Sequence, residues 1–295
     1  MSTLTTPAAR RPIELIAATP QALWGVPAVL NFSLGGLGAG FYVAATVAAV
    51  GGAADAMALA AWLAPALVLA GFAAVACEAG HPLRGLRVLH GVATSWMSRE
   101  LWLGGLFVLL ALVDDVVPHA GLGFLAAAAA AALVLAQGAM LTRARAIAAW
   151  SVPTMPVVFA AAAAVSGLGL LLLVELMAGH RPGRALLATT LAVLGLGWLV
   201  WLAFLAPSPD PAFVRATAPL RRGTTAIEIL VAGYAAPLAL LTLALAFPAW
   251  APGPTALAAS LALVGQFRAR WVLILTAGQR RPVTLATLRL PGRPS

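Results

Sequence analysis

The stretch PTMPVVFAAAAAVSGLGLLLLVELMA, which runs from Pro153 to Ala178, contains a single ionisable side chain, Glu175, close to its end. An α-helix of this length, at about 1.5 Å per residue, is long enough to cross a hydrocarbon core of roughly 30 Å. Seven further apolar stretches are of comparable length. They cover residues 28–50, 57–77, 100–117, 121–141, 184–206, 224–247 and 254–277. The sequence therefore predicts eight transmembrane helices.

The composition excludes a water-soluble fold. Hydrophobic residues make up 62% of the 295 residues and charged residues only 9%, whereas soluble domains contain roughly 45–50% and 25%. Short connections favour antiparallel neighbours. We therefore predict an all-α integral membrane protein with a single membrane domain, residues 1–295, built as an antiparallel bundle. Its parts are an N-terminal segment (1–27), eight transmembrane helices (28–277) and a C-terminal tail (278–295).

The charges of the connections predict the orientation. All 18 basic residues are arginine, and nine carboxylates leave a net charge of +9. With eight spans both termini share one side, which carries fourteen arginines, whereas the opposite side carries only Arg181 and Arg184. Because arginine-rich connections stay in the cytoplasm, we predict cytoplasmic termini in a bacterial-type inner membrane. Arginines that orient a chain among membrane lipids also argue against nucleic acid as a partner.

Histidine and cysteine are few, and all four histidines lie outside the predicted spans. His81, His90, His119 and His180 fall in connections, and Cys77 is the single cysteine. Haem in a membrane subunit needs histidines within the spans, and an iron–sulfur cluster needs about four thiolates. We therefore expect no haem and no metal in this chain, so that a redox role would require a mobile carrier.

The first predicted span carries polar and small residues on one face. Asn31, Gly35, Gly38 and Tyr42 follow one another at helical spacing. The Asn31 amide can hydrogen-bond a carbonyl-bearing ligand, and the glycines leave space beside it. The alternative is structural, because residues 36–40 form a GxxxG packing motif and membrane asparagines also bridge helices.

Two carboxylates flank the connection between the second and third predicted spans. Glu78 lies at a helix C-terminus, where the helix dipole disfavours negative charge, so an arginine partner is expected. The candidates are Arg84, Arg87 and Arg99. Glu100 lies at a helix start, where a carboxylate is favoured, with Ser98 as the predicted N-cap. Either carboxylate is a candidate for proton exchange, and the alternative for Glu100 is a structural role at the helix start.

The last predicted span contains charges inside the membrane. Arg270 lies roughly 10 Å from the predicted end of the helix, where a charge is costly and is by default functional or ion-paired. Gln266 shares its face, whereas Arg268 points about 200° away. Glu228, in the seventh span, is the nearest predicted partner. In the alternative interpretation both arginines extend to the membrane interface.

Several motifs resemble the NrfD/DmsC-type membrane anchors, the haem-free membrane subunits of polysulfide reductase, dimethyl sulfoxide reductase and related molybdenum enzymes. The most specific is SWMSRE at residues 95–100. The resemblance extends over nearly the whole chain. The other motifs are WGVPA at 24–28, LGGLGAG at 34–40, GHPLR at 80–84, RWVLI at 270–274 and AGQ at 277–279.

The resemblance implies a three-subunit oxidoreductase, with a molybdopterin catalytic subunit, a subunit that carries four iron–sulfur clusters, and this chain as the anchor. The anchor would bind menaquinone or ubiquinone, with both partners on the cytoplasmic side, as in sulfite- or phenylacetyl-CoA-oxidising relatives. In the family a carboxylate near the end of span two or the start of span three serves quinol binding; here Glu78 or Glu100 has that position. Where the family often has Asp-Leu-Gly-Arg-Pro, this chain has EAGHP at residues 78–82, so the proton-handling residue stays open.

These observations predict one quinone site near the cytoplasmic face, in a chain that is either non-catalytic or a quinone-reactive subunit. Its quinone-binding residues are Asn31, His81, Arg99, Glu100 and Arg270, its proton relay is Glu78 or Glu100, and its supporting residues are Gln266, Arg268, Glu228 and Arg84. Two alternatives stay open. A secondary transporter would have paired, broken spans and midplane ionisable residues, and a structural scaffold would leave the buried polar residues unexplained.

Overall fold

A computed structural model describes residues 14–51, 54–78, 86–117 and 119–284. Within these ranges eight helices are long and apolar enough to cross a membrane. As α1 to α8 they are Val26–Val50, Ala54–Glu78, Trp96–Val116, Ala120–Thr142, Met155–Met177, Arg184–Phe204, Gly223–Ala246 and Pro252–Thr276. The predicted all-α membrane class with eight spans is confirmed, and the predicted ends differ from the observed ones by a few residues.

Helix α3 begins one turn earlier than predicted. Ser95 is its N-cap, and the Ser95 hydroxyl accepts a hydrogen bond from the Ser98 amide at 3.4 Å. The prediction that Ser98 caps the helix is therefore wrong, because the Ser98 hydroxyl donates to the Val88 carbonyl in a 3₁₀ helix, Leu86–Gly91. Glu100 is thus the fifth residue of α3 and lies beyond the free amides of its first turn. A cap at the helix start does not explain its burial.

Two spans contain π-helical segments, in which each amide bonds the carbonyl five residues earlier. One is Ile227–Ala235 in α7, and the other is Val272–Thr276 at the end of α8. The Ala277 amide continues this pattern with a 2.8 Å bond to the Val272 carbonyl. Such segments widen the helix and often occur at functional sites. Both lie in the helices that carry Glu228 and Arg270.

Helix α1 is the central helix of the bundle, because it packs against α2, α4, α5 and α8. Its closest contact is with α5. A Cβ atom placed on Gly40 would lie 1.9 Å from the Ala163 carbonyl oxygen, and one on Gly167 would lie 2.0 Å from the Gly40 carbonyl carbon. The two backbones are therefore in direct contact, which small residues allow in membrane bundles.

Polar segments outside the eight helices contact one another at one end of the bundle and form a layer there. The prediction of helices from hydropathy does not include this layer. Strand β1, Glu14–Ile16, pairs antiparallel with strand β2, Val283–Thr284. The Arg281 guanidinium lies 2.6 Å from an Asp210 carboxylate oxygen, and the Arg281 amide donates to the Ala146 carbonyl at 2.7 Å. The segments before α1 and after α8 and the α4–α5 and α6–α7 connections therefore meet at the same end, which we call the terminal end.

We expect Gly167→Ala to lower the free energy of unfolding by about 1–3 kcal/mol, because the added methyl group overpacks the α1–α5 contact. Gly195, in α6, is the matched control, since a Cβ there has no atom within 4 Å. Gly195→Ala should be neutral or stabilising by up to about 1 kcal/mol, because alanine favours helix. Reversible unfolding in mixed detergent micelles measures both. Equal effects of the two substitutions would show that the α1–α5 contact does not limit stability.

Candidate functional site

A buried polar cluster lies where α1, α3 and α4 meet. The Asn31 amide donates to Oε1 of Glu100 at 2.8 Å, and the Gln137 amide donates to the same oxygen at 3.0 Å. The exposed fractions of Asn31, Glu100 and Gln137 are 5%, 3% and 0%. A buried carboxyl group needs such donors, because desolvation without partners costs several kcal/mol. We call these three residues the Glu100 cluster.

Glycines provide the space for the Glu100 cluster. A Cβ atom on Gly35 would lie 2.7 Å from the Gln137 side-chain nitrogen, so the Gln137 amide occupies the position where any other residue would place its side chain. A Cβ atom on Gly71, in α2, would lie 3.1 Å from Asn31 atoms. Two of the close approaches that form the cluster therefore depend on residues without side chains.

A second polar group lies on the adjacent face of α1. Arg270 is 4% exposed, and its Nη2 lies 2.7 Å from the position of a Cβ on Gly36. The Arg270 Cζ lies 5.8 Å from the centre of the Phe159 ring, and Tyr234 neighbours both Arg270 and Gln266. Arg270, Gln266 and Tyr234 form what we call the Arg270 cluster.

Both clusters contain polar atoms that lack hydrogen-bond partners among the described residues. The acceptors are Asn31 Oδ1 and Gln137 Oε1, and the donors are Gln266 Nε2 and Arg270 Nε and Nη2. Buried polar groups are normally satisfied, so each unsatisfied group requires an explanation such as a bound polar ligand. Across the described part of the chain Glu100 and Arg270 do not form an ion pair with each other. The Glu100 cluster therefore offers acceptors on one face of α1, and the Arg270 cluster offers donors on the next face.

Arg99 does not contribute its guanidinium to the Glu100 cluster. Its Nε and Nη2 donate to the carbonyls of Val92 and Ala93 at 2.9 and 2.8 Å, and its Cζ lies 4.4 Å from the centre of the Trp96 ring. The structure thus separates Arg99 from Glu100, because consecutive helical residues point about 100° apart. Here Arg99 fastens the preceding loop onto α3.

Glu228, the predicted partner of Arg270, forms an ion pair with Arg268 instead. Glu228 pairs with Arg268 at 2.6 Å, and both side chains are partly exposed, so the expectation that Glu228 balances Arg270 is wrong. The cause is geometric: Arg268 points away from Arg270 and toward α7. Three other predicted residues cannot be placed. His81 and Arg84 lie outside the described residues, and the side chain of Glu78 lies outside them as well.

Gln137 is the functional candidate that the sequence analysis did not identify. It lies in a span rich in alanine, which looks like packing filler, and no motif includes it. The available signal was a glutamine inside an otherwise apolar span, because polar residues in hydrocarbon are costly and usually hydrogen-bonded. Tyr234 gave even less signal, since tyrosines are common near membrane boundaries.

Comparison with protein-family models and with curated proteins finds no match for this chain. Among the described residues no group of three or more His, Cys, Asp and Glu side chains is placed to hold a metal ion. The functional groups of the two clusters are the side-chain amides of Asn31, Gln137 and Gln266, the guanidinium of Arg270, the phenol hydroxyl of Tyr234 and the carboxyl group of Glu100.

We expect Glu100→Leu to destabilise the bundle by about 1–3 kcal/mol, because it leaves the Asn31 and Gln137 amides as buried donors without an acceptor. Glu100→Gln retains an acceptor oxygen and should cost less. Reversible unfolding of both variants in mixed detergent micelles measures the difference between their free energies of unfolding. If leucine is tolerated as well as glutamine, the two amide hydrogen bonds do not stabilise the fold.

Proposed function

We propose that this chain is the quinone-binding membrane anchor of a molybdopterin iron–sulfur oxidoreductase, of the NrfD/DmsC type. The observation that carries the proposal is the Glu100 cluster, in which a buried carboxyl group and two amides with free acceptor oxygens lie beside the donors of Arg270. A quinone needs donors for its carbonyls, and a quinol needs acceptors for its hydroxyls and a group that exchanges protons. The two clusters supply these groups on adjacent faces of α1.

In this proposal each residue has a distinct task. Arg270 donates hydrogen bonds to a carbonyl oxygen of the quinone and stabilises the negative charge that develops there on reduction. Asn31 and Gln137 hold Glu100 and offer their amide oxygens to a hydroxyl of the quinol. Reduction of the quinone to the quinol takes two electrons, which the iron–sulfur subunit would supply, and two protons. Glu100 delivers these protons one after the other and is reprotonated from the terminal end after each transfer, and quinol oxidation runs the same steps in reverse.

The proposed orientation follows from charge. An antiparallel bundle with cytoplasmic termini puts the terminal end, with its many arginines, in the cytoplasm. Asn31 and Glu100 lie within about two turns of the ends of α1 and α3, and those ends are on this side in the proposed topology. An iron–sulfur subunit bound to the arginines of the terminal end would then be near the proposed quinone site. The molybdopterin subunit would bind to this iron–sulfur subunit. Glu78 stays the predicted alternative proton relay, and His81 stays a predicted quinone-binding residue.

The test uses the complex purified from its native membrane through a tag on this chain. Reduced viologen dye donates electrons to the soluble subunits, and either a short-chain ubiquinone or menadione accepts them. We expect Glu100→Gln and Arg270→Gln each to lower quinone reduction at least about tenfold. Glu100 is the proton-exchanging group, a contribution of roughly 10²–10⁴-fold, and Arg270 stabilises the negative charge that develops on the quinone oxygen. Electron transfer from viologen to a soluble dye acceptor should stay unchanged.

Glu228→Gln is the matched control, since it removes a partly exposed carboxylate that pairs with Arg268. It should leave quinone reduction intact. Quinone activity that survives substitution of Asn31, Glu100 and Arg270, or that falls only together with subunit assembly, would place the site elsewhere. A tagged chain that never copurifies with an iron–sulfur protein but moves a solute across vesicle membranes would favour a transporter instead.

A further inference from the structure

A large apolar crevice opens at the end of the bundle opposite the terminal end. Its volume is about 660 Å³, and α1, α4, α5 and α6 form its walls. It reaches from Gly51 and Gly183, at helix ends, to Gly40 and Ala163 in the middle of the bundle. Its size is that of a typical site for a small ligand.

The walls of the crevice suit a hydrocarbon chain. Apart from Glu175 and Thr189, the lining side chains are apolar, and most of them are alanine, glycine or valine. Small side chains leave the space open, and the walls provide almost no hydrogen-bonding groups for a peptide or a sugar. The crevice is thus chemically different from the Glu100 and Arg270 clusters.

Positive charge is placed at the mouth of this crevice. Pro182 and Gly183 line it, and Arg181 and Arg184 flank them in sequence. Both arginines are exposed, and within the described ranges neither forms an ion pair. They are the only two arginines among the connections on this side of the eight-span topology. In the proposed orientation, with the termini in the cytoplasm, the positive-inside rule disfavours arginine at this end, so a local anionic group is the reason that fits their position.

The first turn of α6 adds to this charge. Gly183 is its N-cap and provides no side-chain hydrogen bond, so the first amides of α6 are free to donate. A helix start with free amides and two arginines attracts a phosphate group. Among the described residues Glu175 forms no ion pair with Arg181 or Arg184, and its carboxylate lies 3.2 Å from His180 Nδ1.

We propose that this crevice binds a membrane phospholipid, with one acyl chain between α1, α4, α5 and α6 and the phosphate between Arg181 and Arg184. The bilayer that surrounds the bundle supplies this molecule, and the apolar walls and the cationic mouth match its two parts. The inference goes beyond the quinone function and does not depend on it, because the crevice shares none of its lining residues with the two polar clusters.

The test purifies the tagged chain and its variants in mild detergent. Native mass spectrometry then measures how much phospholipid each variant retains relative to the unaltered chain. Arg181→Gln and Arg184→Gln should each lower retention about fivefold, because a basic residue contributes roughly 1 kcal/mol to binding of anionic headgroups. The matched control is Arg222→Gln, an exposed arginine at the terminal end, which should not change retention.

Larger side chains in the crevice test whether it holds the acyl chain of the phospholipid. Ala44→Leu with Ala164→Leu should lower retention at least as strongly, whereas Ala239→Leu, on an exposed position of α7 outside the crevice, should have no effect. Unchanged retention in the crevice and arginine variants would overturn the proposal, as would a retained quinone in place of a phospholipid.

Photolabelling of the unaltered chain tests the proposal without any substitution, so its result does not depend on whether the variants fold. A phospholipid that carries a photoreactive group on its acyl chain is incorporated into phosphatidylcholine nanodiscs with the protein. Labelling concentrated on peptides from α1 and α5 that line the crevice supports the proposal. Labelling spread evenly over all lipid-facing helices overturns it.

Discussion

A carboxyl group inside a membrane bundle has to be surrounded by donors, since water is absent and an unpartnered polar group is costly. Glu100 meets this constraint through the amides of Asn31 and Gln137, which come from two other helices. The relative positions of α1, α3 and α4 are therefore tied to one oxygen atom. Displacing any one of these helices relative to the other two would stretch at least one of the two hydrogen bonds.

The constraint can be met because α1 carries few side chains where its neighbours approach. Gly35 admits the Gln137 amide, Gly36 admits the Arg270 guanidinium, and Gly40 lets the α5 backbone come into contact. Substitution at these positions would push a polar group or a whole helix outward. The glycine-rich stretch at residues 34–40 thus serves packing and the polar clusters at once, so the ligand and packing interpretations of this helix are compatible.

The two ends of the bundle differ in chemistry as well as in charge. At the terminal end, Arg281 joins Asp210 and the α4–α5 connection into a hydrogen-bonded layer closed by a strand pair. At the opposite end, small side chains leave an apolar crevice with arginines beside its mouth. A protein partner on the first face and a lipid in the second fit this asymmetry, and both remain proposals with separate tests.

The sequence by itself determined the membrane class, the eight spans and the candidates Asn31, Glu100 and Arg270, because hydropathy and polar residues in apolar spans are local properties of the chain. It could not determine which polar residues meet. Gln137 joins Glu100, Arg99 turns to the loop before α3, and Glu228 pairs with Arg268 instead of Arg270. These outcomes depend on helix rotation and on backbone approach at glycines. Only tertiary packing fixes those two quantities, since they join residues that are far apart in the chain.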